Sequence, residues 1–183
     1  ASSTHAYEEL FCIKTHIELK KKYKNLITII IPRHVHRVKE IIPEITNQGL
    51  KVATHSSRNI NLKNVDIYIV DTFGETKKFY KICCSVFLGG SIIARGGQNP
   101  LEAARYGARI LHGPNVDNFK DVYKQLEKFK VSKKITTSKQ LASLISFEKK
   151  TNNGSKIKKI GEIILKKTIK ELDNLIVNEF KKT

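Results

Sequence analysis

No stretch of the 183-residue sequence approaches the roughly 18–20 consecutive apolar residues of a membrane-spanning helix. The longest apolar run, LITIII at residues 26–31, is strand-sized. No signal-peptide pattern opens the chain, so the expectation is a soluble domain. Methionine is absent and the first residues read ASSTHAYEE, which points to a piece of a longer protein. Cysteine is scarce: Cys12, Cys83 and Cys84 make an odd number without C-x-x-C spacing. Buried thiols in a reducing compartment are the expectation. The histidines at 5, 16, 34, 36, 55 and 112 lack H-x-x-x-H or cysteine-partner spacing, and no Asp-x-Asp pair stands at a strand end. No metal site and no cofactor are therefore expected. There is no Gly-Lys-Ser/Thr ending of a P-loop and no G-x-G-x-x-G, which removes the main support for ATPase and dehydrogenase readings. Without G-x-S-x-G, a serine-hydrolase triad also lacks a signature.

Acidic residues are few. Seventeen Asp and Glu stand against 34 Lys and Arg, a net charge of +17 that attracts anions: nucleic acid, an anionic membrane surface or phosphorylated substrates. A lysine-rich chain with abundant Ile and Asn fits a biased genome composition equally well. No compact Arg/Lys face with interleaved aromatics and no known nucleic-acid module is visible, so nucleic acid is not the expected partner. With 40% hydrophobic and 28% charged residues, the balance is globular.

What is present is a regular alternation. Ser3 or Thr4 followed by Glu8 reads as the cap of a first helix, with Leu10, Ile13 and Ile17 on one face. LITIII is a buried strand stopped by Pro32. HVHRVKEIIPEITNQG is helical, with Pro43 kinking it or ending its first part. LKVAT, VDIYIVD, SVFLGG, ARILHG and KVSKKI read as further strands. Between them, GETKKFYKIC, NPLEAARYG and VDNFKDVYKQLEKF read as helices, and TSKQLASLISF follows as a helix capped by Thr137 or Ser138. A polar break, KTNNGS, precedes a long amphipathic helix over about residues 156–180. The pattern predicts an α/β fold: a doubly wound, Rossmann-like parallel sheet of about six strands with helices on both faces. Residues 1–150 form the sheet domain. Residues 151–183 form a C-terminal helix that packs on it or reaches toward another domain.

Ligands of open α/β sheets sit at the carboxyl ends of the strands. The loop GGSIIARGGQNP leads from a strand into a helix, and Gly89, Gly90, Gly96 and Gly97 allow close backbone approach. The helix start at residues 98–101, with Gln98 and Asn99, offers N–H groups to a phosphate. Glu102 either favours the helix dipole or reaches ribose hydroxyls; the spacing does not separate the two. In IIIPRHVHR, Arg33 follows a strand and can clamp a phosphate or carboxylate, with Arg37 one helical turn on. In DTFGE, Gly74 permits main-chain contact and Phe73 is placed to lie against a base.

FLGGSIIARGGQNPLEAARYGARILHGPNVDNF resembles the C-terminal nucleotide-sugar domain of the bacterial 3-deoxy-D-manno-octulosonic acid (Kdo) transferases. PRH with Arg37 four residues beyond Arg33 is similar to the family's donor-anion motif, DTFGE to its D-T-x-G-E segment, and SSTHAYEE to its S-T-H-x-x-E-E start. Ala94 and Ala103 stand where the family has proline, and Val35 and His36 where it has Pro-Glu; none of these removes a charged ligand group. The resemblance implies half of a GT-B glycosyltransferase of the inverting, metal-independent type. It further implies a donor, CMP-Kdo, held by Arg33, Arg37, Gly74, Gly90, Ser91, Gly96, Gly97, Gln98, Asn99 and Glu102. Also implied are an acceptor, the lipid A precursor lipid IVA, at the cytoplasmic face of the Gram-negative inner membrane, and an amino-terminal domain carrying the catalytic base. No catalytic residue is then expected in this chain, which would bind donor without transferring sugar alone. The alternatives are a GT-B enzyme using a UDP-sugar and a basic α/β module that binds polyanions.

Overall fold

A computed structural model describes residues 1–58, 60–148 and 153–180. Its strands are β1 (Ser2–Thr4), β2 (Thr28–Pro32), β3 (Val52–Thr54), β4 (Ile67–Ile69), β5 (Ser85–Leu88), β6 (Arg109–His112) and β7 (Ser132–Lys134). Its helices are α1 (Glu8–Lys20), α2 (Val38–Thr46), α3 (Thr76–Ile82), α4 (Leu101–Arg105), α5 (Lys120–Lys128), α6 (Ser138–Leu144) and α7 (Asn153–Phe180). The strands form one sheet in the order β3-β4-β2-β1-β5-β6-β7, and every pairing is parallel.

Alternation along the central strands sorts side chains to two faces. Val86 and Leu88 of β5 and Ile110 of β6 join Tyr80, Ala103, Ala104, Tyr123 and Leu126 in one core cluster. Phe87 and Leu111, the intervening residues, join Cys12, Ile13, Ile41, Ile45 and Leu141 in the other. The doubly wound class is as the alternation predicts.

The sheet has seven strands rather than six, because residues 2–4 are a strand and not a helix cap. β1 lies at the centre, with Ser2 opposite Ile31 of β2 and Leu88 of β5. Ser2 and Thr4 are polar but buried, and the Ser2 hydroxyl lies 2.8 Å from the Tyr80 hydroxyl. Three polar residues carry no hydrophobic alternation, so only the neighbouring strands mark them as sheet. The residue before α1 is Tyr7, in the left-handed region at φ 73° and with no side-chain cap. Pro43 does not end its helix: α2 runs through it, preceded by a 3-10 turn at Val35–Arg37.

The predicted boundary at residues 150–151 lies outside the described residues. α7 starts at Asn153, and its Ile157 is buried in the cluster with α4 and α5, while Lys167 Nζ meets Asp121 Oδ2 at 2.7 Å. Beyond that point Ile169, Leu172, Ile176 and Val177 are exposed. No described helix is long and apolar enough to cross a membrane.

Candidate functional site

β1 leads the chain toward β2 on one side, and β5 leads it toward β6 and β7 on the other. The order therefore reverses between β1 and β5, where a parallel sheet opens a crevice at the carboxyl ends of its strands. Along that edge stand Gly74 after β4, Arg33 after β2, His5 after β1 and residues 89–99 after β5. The sequence-predicted residues thus share one edge of the sheet, although they are far apart in the chain.

The 89–99 loop is held by a residue not among the predicted ligands. Glu8 is fully buried, and its carboxylate accepts four backbone N–H groups: His5 at 3.0 Å, Gly90 at 2.7 Å, and Ser91 and Ile92 at 3.0 Å. The amides of Gly90 and Ser91, expected to face a ligand, are therefore satisfied within the protein. The Ser91 hydroxyl is likewise engaged, donating to the Leu88 carbonyl and accepting from the Gly113 amide. Gly89 serves internal packing too. A Cβ there would sit 2.4 Å from the Ser3 carbonyl oxygen and 2.7 Å from Thr4 Cα, so only glycine lets β5 end beside β1.

From the other side the loop after β6 braces the same segment. Asn115 Nδ2 donates to the Ile92 carbonyl at 2.9 Å, and Asn118 Nδ2 to the Arg95 carbonyl at 3.2 Å. Gly96, at φ +77°, presses against the Asn118 side chain, where a Cβ would lie 2.4 Å from Nδ2. Gly97 packs on Val116 and donates to the Gly90 carbonyl at 2.8 Å. The Asn-Phe that follows GP in the sequence is therefore partly a loop clamp.

The helix after the loop differs from the expected phosphate cradle. α4 has five residues, Pro100 has no N–H, and the Leu101 amide is taken at 3.0 Å by Asn99 Oδ1. Asn99 thus caps α4 with its side chain. The Gln98 and Asn99 amides donate no hydrogen bond among the described residues, while the Gln98 carbonyl accepts from Tyr123 Oη at 2.9 Å. Glu102 is half-exposed in the first turn of α4 and lies 3.7 Å from Lys77 Nζ.

The two arginines have separate fates. Arg33 is exposed, and its side chain makes no hydrogen bond or ion pair among the described residues. Arg37 is bound bidentately to the fully buried Glu9, at 2.8 and 3.3 Å, and also lies 3.5 Å from Glu40. Expected beside Arg33 as an anion clamp, it instead ties the loop after β2 to α1, because a buried carboxylate holds the nearest guanidinium. The E-E pair of SSTHAYEE was the signal for both carboxylates, but sequence does not show where they point.

Three side chains whose polar ends have no partner among the described residues border Gly90. Built from its backbone, a Cβ there would lie 3.3 Å from Gln98 Nε2, 3.5 Å from Arg95 Cβ and 3.5 Å from His5 Cδ2. His5 Nε2 is buried and has no hydrogen-bond partner among the described residues. Its ring stands edge-on to His34 at 5.9 Å, and His34 stacks on His36 at 5.6 Å. Burial holds the His5 imidazole below its ordinary pKa, Glu8 and Glu9 pull it up, and His34 and Arg95 push it down. His5 and Arg95 are the members that sequence reasoning missed.

On the far side of the edge, the loop after β3 hangs on Asp71, which accepts from the Ser56 amide at 2.8 Å and from the Ser56 hydroxyl. Although burial raises it, these hydrogen bonds keep the Asp71 carboxyl below its usual range. Gly74 has open space around it and Phe73 is 81% exposed, so this loop presents a free aromatic face. An apolar cavity of about 290 Å³, lined by Cys12, Leu19, Phe87 and Leu141, opens instead at the amino ends of β1, β2 and β5. It lies on the opposite edge and is no part of this site.

Fold and edge together define a doubly wound α/β domain that presents free hydrogen-bond donors and cations at its switch point. The chain is a homologue of the 3-deoxy-D-manno-octulosonic acid transferases, matched over a domain-sized part of them. It is 32% identical over 165 residues to that transferase of Rickettsia bellii (strain RML369-C), covering 90% of this chain and 39% of the relative. The corresponding protein of Aquifex aeolicus (strain VF5) is 29% identical over 171 residues, covering 91% and 47%. That of Haemophilus influenzae is 29% identical over 126 residues, covering 69% and 30%. The chain thus spans less than half the length of these curated relatives. Its fold matches the crystal structure of the C-terminal CMP-Kdo binding domain of WaaA from Acinetobacter baumannii, with a TM-score of 0.73 and 24% identity, over 78% of this chain and 75% of that one. No family model matches the chain.

Proposed function

We propose that this chain is the donor-binding part of a glycosyltransferase that takes Kdo from CMP-Kdo and transfers it, with inversion and without a metal, to the lipid A precursor lipid IVA. Residues 1–150 would make up the donor-binding unit, and the C-terminal helix after it would pack on that unit or reach toward the amino-terminal domain. The catalytic base belongs to an amino-terminal domain, and the reaction takes place at the cytoplasmic face of the inner membrane.

The observation that carries this reading is the position of Arg33 and the Gln98 and Asn99 amides. None has a hydrogen-bond partner among the described residues, and all follow strands on the same edge of the sheet. The chain that places them so is homologous to Kdo transferases over 90% of its length. The donor brings a single phosphate, and CMP leaves carrying more negative charge than it had in the donor. Preorganised N–H groups and a guanidinium stabilise that developing charge, with no shell of water to rearrange. Amides and cations also suit an anion that a pair of acidic metal ligands would repel. Glu102, half-exposed in the first turn of α4, would accept from ribose hydroxyls. Phe73, which is exposed, and Gly74, which has open space around it, would face the base. The basic surface favours an anionic leaflet and a phosphorylated acceptor.

Calorimetric titration tests the reading. CMP should bind in preference to UMP and UDP, and a chelator should leave its affinity unchanged. Arg33→Ala should weaken CMP about tenfold or more, the equivalent of one charge-assisted hydrogen bond at about 1.5–3 kcal/mol. Equal binding of UDP would favour the UDP-sugar alternative. Unchanged CMP affinity in Arg33→Ala and Glu102→Ala together would overturn the site.

A further inference from the structure

We propose that His5 and Arg95 form, with the Gln98 side chain, a three-point clasp around Gly90 that binds an anionic oxygen of the ligand. The inference rests on the donor-binding reading above and adds two residues to it. His5 directly follows the central strand β1, and Arg95 and Gln98 come from the loop after β5. The clasp therefore straddles the point where strand order reverses. Its members border one position, the place a Cβ on Gly90 would occupy: Gln98 through Nε2, Arg95 through Cβ and His5 through the Cδ2 edge of its ring, all within 3.5 Å. That position is glycine, so the space among them stays free.

A buried imidazole nitrogen without a partner is costly unless something completes it. His5 Nε2 is such an atom, although its own backbone N–H is tied to Glu8. The Arg95 guanidinium is exposed and makes no ion pair among the described residues, and the Gln98 carboxamide donates to nothing within them. Of the two carboxylates that act on His5, Glu8 already accepts two amides on each oxygen and Glu9 is bound by Arg37. With its proton on Nε2, His5 joins the Arg95 guanidinium and the Gln98 NH2 group as a donor, and the one cation among them suits an anionic oxygen. Two groups of a nucleotide-activated sugar acid carry one: the phosphate and the carboxylate.

Binding an anion at this place also draws a proton. His5 is faced by His34 and Arg95, which disfavour its charge, and by Glu8 and Glu9, which favour it. An added negative charge tips the balance toward imidazolium, so affinity should strengthen as pH falls toward the lowered pKa of the free group, more than in a variant without the imidazole. A nucleoside monophosphate itself titrates near pH 6, so the readout is the difference between the parent chain and a His5 variant.

The test titrates CMP, cytidine and free 3-deoxy-D-manno-octulosonic acid into the 183-residue chain and its His5→Ala, His5→Gln and Arg95→Ala variants, with melting curves confirming the fold. If the oxygen is the phosphate's, His5→Ala and Arg95→Ala weaken CMP about tenfold, the loss of one charge-assisted bond, and leave cytidine unchanged. If it is the carboxylate's, the loss falls on the sugar acid. Glutamine, which carries an N–H donor of similar reach, should restore part of the affinity in His5→Gln while abolishing the extra pH dependence. Equal losses on all three ligands, or no loss on any, overturn the clasp. A parent chain that binds none of the three overturns the donor-binding reading as well. A parent chain that binds CMP while all three variants match it overturns the clasp alone.

Discussion

Replacing Glu8 by glutamine exchanges one oxygen for an amino group and should cost far more stability than the change in size suggests. Oε1 accepts from Ser91 and Ile92, and Oε2 from His5 and Gly90, at 2.7–3.0 Å in a fully buried position. Glutamine has one acceptor oxygen. Whichever way its carboxamide turns, its NH2 group faces two backbone N–H donors. Two charge-assisted hydrogen bonds, about 1.5–3 kcal/mol each, become donor–donor contacts. The bonds share acceptors and the loop relaxes in part, so the losses do not simply add. A net cost of about 3–4 kcal/mol is expected, a large share of the roughly 5–15 kcal/mol that typically separates folded from unfolded chains. Urea denaturation reads it directly: with a slope of about 1–3 kcal/mol/M, the midpoint falls by at least about 1 M. Glu8→Asp, which keeps both oxygens on a shorter stem, should fall between the two. A glutamine variant within about 0.5 kcal/mol of the parent, the range of ordinary surface substitutions, would refute the role given to Glu8.

Arg37→Ala should destabilise by about 3–5 kcal/mol in the same assay, because it leaves the buried Glu9 carboxylate without its partner. Arg33→Ala, at an unpaired guanidinium, should change stability by less than about 0.5 kcal/mol; equal effects of the two would contradict their separate assignments. His16 and His112 are both held below the ordinary imidazole pKa chiefly by burial. The unfolded chain then takes up protons first, so this stability is complete above about pH 6.5 and declines as pH falls below it. Denaturation between pH 5.5 and 8 should show that slope, and His16→Gln should flatten it; a steeper slope in the variant would reverse the sign. Burial pushes the Cys12 thiol up to about 12, so a thiol reagent at neutral pH should label Cys12 only after denaturation. Labelling of Cys12 in the native chain would refute its placement in the core.

The sequence by itself determined the class of fold, because hydrophobic periodicity and glycine or proline punctuation are local properties. LITIII, SVFLGG and ARILHG could be read as strands from their own composition, and the polar break before α7 from its own residues. It also determined the kinship, since GGQNPLE, PRH and DTFGE are contiguous words. Tertiary structure decided what those words do. Ser2–Thr4 becomes the central strand only because β2 and β5 pair with it from either side. Arg33 and Arg37 look alike in sequence, yet Glu9 holds one and leaves the other free. The glycines that suggest an open cradle serve in part to bring β5 against β1, and the Gly90 and Ser91 amides are closed by Glu8, more than 80 residues away in the chain. His5, Arg95 and Gln98 meet for the same reason. Strand order in a doubly wound sheet differs from chain order, so the neighbours of a loop are set by topology and not by the residues beside it.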